Sequence, residues 1–182
     1  MILFVNACVR KESRTKRLAD AVLSGLNDTV TELRLEEIRF PAVDESFLCR
    51  RDSLIEKEAF DDPLFGLARQ FAAADRIVIA APYWDLSFPA ALKQYFEQIC
   101  VRGITFVYTD DGYPRGLCRA EELIYVTTAG GQYLPWEYGY EYVKTLAEQF
   151  YNIPKVRKVS ASGLDILGAD PERILREAIE QL

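Results

Sequence analysis

Apolar residues run unbroken from Ile2 to Val5 and resume at Ala7 and Cys8, after which the pattern changes period. So short a run predicts a strand over 2–8, buried on both faces in the middle of a parallel sheet. Leu18, Val22 and Leu26 then recur at spacing four, with Ala19 and Leu23 on the same face. They predict a helix that Ser13 caps. Residues 29–35 alternate and predict a strand near a sheet edge. Residues 36–59 are charge-rich and aperiodic, which predicts a long, partly ordered connection. A helix is expected over 61–74, with Pro63 in its first turn. A buried strand is expected over 77–81, then a helix over 89–101 carrying Leu92, Tyr95, Phe96 and Ile99 and ended by Gly103. Residues 104–117 read as a short hairpin and 122–131 as a strand running into glycines. A helix over 137–151, a strand within 155–166 and a last helix complete the chain. The last helix is capped by Asp170, opened by Pro171, and buries Ile174, Leu175, Ala178 and Ile179.

Strands and helices alternate throughout, which implies an α/β protein with helices on both faces of a parallel sheet. Five parallel strands and a terminal helix predict a flavodoxin-like three-layer sandwich, strand order 2-1-3-4-5, as a single domain over 1–182. In such sheets ligands lie beyond the C-terminal ends of the strands, at the switch point of strand order.

The net charge of −6 argues against broad binding to nucleic acid or anionic membrane, which needs a basic face. No apolar run is long enough to span a bilayer. The opening "MILFVNAC" lacks the basic flank and cleavage site of a signal peptide. Cys8, Cys49, Cys100 and Cys118 are scattered without a C-x-x-C pair, as in a reduced, cytoplasmic protein. The chain has no histidine, which excludes Ser-His-Asp and Cys-His catalysis and histidine-ligated zinc.

Three strand exits should therefore border one crevice. The first, "NACVRKESRT", joins Arg10 and Arg14 to the hydroxyls of Ser13 and Thr15 at a helix N-terminus, where an anion is attracted. A capped helix under a solvated loop is the plainer alternative, and neither phosphate-loop glycine motif is present. The second, Pro82, Tyr83, Trp84, Asp85 and Leu86, offers aromatic walls and backbone groups to a planar ligand, or simple packing under a loop. The third, "TTAGGQY", has Gly130 and Gly131, which allow backbone to approach a ligand closely or merely make a tight turn. Trp136, Tyr138, Tyr140 and Tyr142 suggest a partner surface or a pocket wall. Cys8 reads as packing.

Four segments resemble the FMN-dependent NADH-azoreductase and NAD(P)H quinone oxidoreductase family. They are "SRTKRLAD", "APYWDLSFPAALKQYF", "GITFVYTDDGYPRGL" and "VTTAGG". The resemblance implies that Arg10, Ser13, Arg14 and Thr15 hold the FMN phosphate. It implies that Pro82–Leu86 lie along the isoalloxazine ring, with backbone of Trp84 and Asp85 at its polar edge. Thr128, Ala129, Gly130 and Gly131 would meet the ring from the next loop. Phe106 is placed on the substrate side, and Tyr133 is assigned there with it. The implied enzyme takes electrons from NADH or NADPH and reduces quinones, azo or nitro compounds by ping-pong hydride transfer. The implied assembly is a homodimer. This chain departs from the family at Asp85, where an Asn is common, and at Ala129, where a basic or polar residue is common, so its redox potential and donor preference are expected to differ. A flavodoxin-type electron carrier, or a member that has lost FMN and acts as a binding protein, are the alternatives.

Overall fold

The computed structural model describes residues 1–182. In chain order its elements are β1 (Ile2–Asn6), α1 (Arg14–Ser24), β2 (Val30–Arg34), α2 (Glu45–Glu56), α3 (Gly66–Ala73), β3 (Arg76–Ala80), α4 (Ala90–Ile99), β4 (Phe106–Tyr108), β5 (Pro114–Gly116), β6 (Glu122–Thr128), α5 (Tyr140–Gln149), β7 (Lys155–Ala161) and α6 (Pro171–Glu180). Short 3₁₀ turns cover Leu35–Glu37, Pro63–Phe65 and Trp136–Tyr138. Five strands form a parallel sheet in the order β2-β1-β3-β6-β7, and β4 and β5 pair as a separate hairpin. Without the hairpin this is the predicted 2-1-3-4-5 order.

Register positions the site. Ile2 pairs with Val30 and Arg76, Arg76 with Glu122, and Glu122 with Lys155, so all five strands start level. The exits of β1, β3 and β6 therefore open side by side. Successive residues of β1 alternate between two cores, as a sheet covered on both faces requires. Leu3 and Val5 join Ile77, Ile79, Leu123 and Tyr125 beneath α3, α4 and α5. Ile2 and Phe4 join Val78, Ala80, Ile124 and Val126 beneath α1 and α6.

Several expectations are corrected. Residues 36–59 contain a twelve-residue helix, α2, capped by the Asp44 carboxylate accepting from Phe47 N at 2.8 Å. It buries no residue fully, and Leu54 and Ile55 only lean on the core, so its apolar period is weak. The helix expected over 137–151 starts at Tyr140, because Trp136–Tyr138 forms a 3₁₀ turn. Helix α4 ends at Ile99 with Cys100 as its cap, before Gly103 is reached. In α6 only Leu175 is fully buried, while Ile174, Ala178 and Ile179 pack at the margin. In the hairpin, a side chain at Gly116 would overlap the Tyr151–Asn152 backbone, so glycine is required where β5 passes under the end of α5.

Candidate functional site

The chain leaves β1 through a built turn. Asn6 Oδ1 accepts from Cys8 N at 2.9 Å, while Asn6 Nδ2 donates to Glu32 at 2.8 Å. This delivers the 9–13 loop onto the N-terminus of α1. Ser13, in extended backbone (φ −80°, ψ 119°), accepts from Lys16 N at 3.2 Å. The N–H groups of Arg14 and Thr15, in the first turn of α1, have no intrahelical acceptor. Thr15 Oγ1 and Thr128 Oγ1 lie 2.7 Å apart, which ties this loop to the end of β6.

The second wall continues the sheet as backbone. Ala81 N donates to Val126 O at 2.9 Å and Tyr83 N to Thr128 O at 3.0 Å. Trp84 and Ser87 then exchange hydrogen bonds of 3.1 and 2.8 Å around Asp85 and Leu86, which both take left-handed backbone (φ 50° and 68°). That is a two-residue turn of the type that favours Asn-Gly. Tyr83 meets Trp136 edge-on, centroids 5.6 Å apart, and the Lys158 ammonium lies 3.4 Å from the Trp136 centroid. Burial holds the Tyr83 phenol above its usual pKa.

The third wall is Ala129–Gly131. Ala129 N donates to Ala161 O at 2.9 Å. The carbonyls of Ala129, Gly130 and Gly131 accept from Leu164, Asp165 and Gly163, while the N–H groups of Gly130 and Gly131 stay free.

Together these enclose a crevice of about 220 Å³. Of the residues expected at the site, Arg10, Ser13, Arg14, Thr15, Pro82, Tyr83, Trp84, Thr128, Ala129 and Gly130 line it. Asp85, Leu86 and Gly131 sit at its rim without lining it. Tyr133 is 81% exposed and does not line it. Phe106 is not brought to this crevice. It is buried between Tyr108 and Phe150 and borders a separate depression with Cys100 and Arg102. Val9 and Glu12, inside the first exit, also line the crevice, and so does Asp165, which lies outside the three expected exits. Asp165 follows β7, a fourth strand exit, and the same rule about strand ends would have reached it.

The donor set fits a phosphorylated, planar cofactor. Free helix N–H groups, two hydroxyls and two guanidiniums gather at one end, and Tyr83 and Trp84 form a flat wall at the other. The enclosed space is below the about 300 Å³ usual for a cofactor pocket, so part of a bound cofactor would stand outside it. No thiol lines the crevice. The Cys8 thiol is buried and pushed up to about 11 by that burial, and Tyr108 lies outside on the hairpin.

The comparisons agree with this arrangement. An FMN-dependent NADH:quinone oxidoreductase 2 of Clostridium acetobutylicum is 35% identical, covering 99% of this chain and 94% of its own. An FMN-dependent NADH:quinone oxidoreductase of Coprothermobacter proteolyticus is 34% identical over the same shares. The azoreductase of Bacillus anthracis str. Sterne superposes with a TM-score of 0.83 at 25% identity, covering 99% of this chain and 95% of its own. The family model of the flavodoxin-like fold matches residues 1–182. The chain belongs to the flavodoxin-like fold family, Flavodoxin_2.

Proposed function

We propose that the protein is an FMN-dependent oxidoreductase that takes electrons from NADH or NADPH and passes them to a quinone, azo or nitro compound. The observation that carries this is the crevice itself, where the helix N-terminus, two arginines and an aromatic wall meet at three strand exits. In it Ser13, Arg14 and Thr15, with Arg10, bind the phosphate. Tyr83 and Trp84 lie along the ring, Thr128, Ala129 and Gly130 close its other side, and the free N–H groups of Gly130 and Gly131 meet its polar atoms. Bound FMN supplies the hydride chemistry between nicotinamide and acceptor, which needs no histidine. The protein's residues orient the ring and keep one side open, where donor and acceptor alternate in a ping-pong scheme.

The open side supports a homodimer. Trp84, Leu86, Tyr133 and Tyr138 are exposed around the rim, and a second copy covering them would complete the wall. Tyr133 then faces the acceptor from the covered rim. Four free thiols, two of them buried, support a cytoplasmic setting, and no helix is long and apolar enough to cross a membrane. The chain works as one domain over 1–182.

Initial rates with varied NADH and a benzoquinone test the scheme. Parallel double-reciprocal lines are expected, and intersecting lines refute the alternation. A flavin-loaded protein that does not oxidise NADH without a protein partner is an electron carrier.

A further inference from the structure

We propose that Asp165 sets the phosphate affinity of the crevice. Its carboxylate, held against Arg14, opposes a dianionic group and narrows the preference for a phosphorylated flavin over an unphosphorylated one. The role rests on the FMN phosphate sitting at the Ser13–Thr15 loop, as proposed above.

The position of Asp165 is fixed from several directions. After β7, Gly163 N donates to Gly131 O at 2.9 Å, Leu164 N to Ala129 O at 3.2 Å and Asp165 N to Gly130 O at 3.0 Å. Three consecutive donors thus take the carbonyls of three consecutive residues of the glycine loop. The Asp165 side chain then reaches across the crevice mouth, where Oδ1 accepts from Arg14 Nη2 at 2.8 Å. Arg14 Nη1 also donates to Leu164 O at 3.3 Å. The other carboxylate oxygen lies over Gly130, and a Cβ there would overlap it. A side chain at Gly130 would force the Asp165 carboxylate to move.

The charge count follows. Arg10 and Arg14 are the cations lining the crevice, and Glu12 and Asp165 are the anions. The formal charge of the mouth is zero before any ligand enters. A phosphate monoester brings a charge of about −1.5 to −2 near neutral pH. It meets an Arg14 already paired with a carboxylate, and must share that guanidinium or displace Asp165 from it. The pair is partly in water, 28% and 64% exposed, so its own contribution to folding is small and its effect on an entering anion is the larger consequence.

The test measures the dissociation constants of FMN and of riboflavin by flavin-fluorescence titration of the apoprotein. The variants are Asp165→Asn, Asp165→Glu and Arg14→Gln, each checked for a native far-UV spectrum. Asp165→Asn keeps the volume and an acceptor for Arg14 but removes the charge. It is expected to tighten FMN about three- to tenfold at low salt while leaving riboflavin unchanged. The gain should shrink toward nothing at about 1 M salt, where screening acts within about 3 Å. Asp165→Glu keeps the charge and the wild-type ratio of the two affinities. An Asp165→Asn protein with the wild-type ratio or a lower one overturns the proposal, and so does a gain that persists at high salt. Arg14→Gln is expected to weaken FMN and spare riboflavin. If it changes neither, the phosphate is bound elsewhere and the role of Asp165 falls with that placement. If Arg14→Gln acts and Asp165→Asn does not, only the role of Asp165 is lost.

Discussion

Replacing Leu86 by glycine should leave the protein more stable than replacing it by alanine, the reverse of the usual order. Leu86 sits at φ 68°, directly after Asp85 at φ 50°. Left-handed backbone costs a residue with a Cβ about 1–2 kcal/mol, and glycine escapes that cost. Glycine gives back about 0.5–1 kcal/mol because its unfolded chain has more freedom to lose. Both variants discard the same half-exposed side chain beyond Cβ, so its burial cancels in the comparison. At mid-range values the balance favours glycine by about 0.75 kcal/mol. For a chain of this length that is about 1.5–3 °C in Tm. Scanning calorimetry of the two flavin-free proteins at one pH reads it directly. An alanine variant that melts at or above the glycine variant would mean that the Trp84–Ser87 turn is not left-handed, and that Trp84 is held at the crevice by some other device.

Three other outcomes follow from named contacts. Thr15→Val or Thr128→Val alone should cost about 1–3 kcal/mol, because each strands the partner hydroxyl of a buried 2.7 Å bond. The double variant should cost less than the sum, and additivity in urea denaturation would refute the coupling. Glu122, 8% exposed, meets Lys155 at 2.9 Å and Arg157 at 3.1 Å, with Arg76 Nε 2.9 Å away outside hydrogen-bond alignment. Burial pushes its carboxyl up, but the cations together outweigh it and hold the pKa below the usual value. Its stabilisation is thus fully present above about pH 4.5 and lost as pH falls through the depressed folded value. Glu122→Gln should cost about 1–2 kcal/mol at pH 7, the cations being partly in water, and should flatten the acid limb of stability against pH. An unchanged limb contradicts it. Native protein at pH 8 should offer one fast thiol, Cys49, to a disulfide reagent, since burial pushes Cys8 up to about 11 and Cys118 up to about 12 and also raises the half-buried Cys100. Rapid reaction of Cys8 would show that the first loop opens.

The sheet was legible because each central strand is buried on both faces and reads as an unbroken apolar run, as Ile77–Ala80 does. The crevice was legible because parallel order and level register bring strand exits together, wherever the loops then go. Helix α2 was hidden because no face of it is buried, so the sequence carries no 3.6-residue period there. Asp165 lay within reach of the rule about strand ends, since it follows β7, but nothing local marks it. It reaches the crevice through hydrogen bonds between loops far apart in sequence, and its local string "SGLD" is also an ordinary turn. Phe106 is placed on the substrate side by likeness alone, and its ring lies against Phe150, centroids 5.2 Å apart.

The central claim is that the three strand exits bind FMN. The most direct measurement is the visible absorption spectrum of the purified protein after incubation with FMN and desalting, followed by anaerobic addition of NADH. The account predicts a retained flavin spectrum that bleaches with NADH, and loss of the retained flavin in an Arg14→Gln, Tyr83→Ala protein. A native protein that stays colourless would contradict it, and Tyr83 and Trp84 would then be walls for some other ligand.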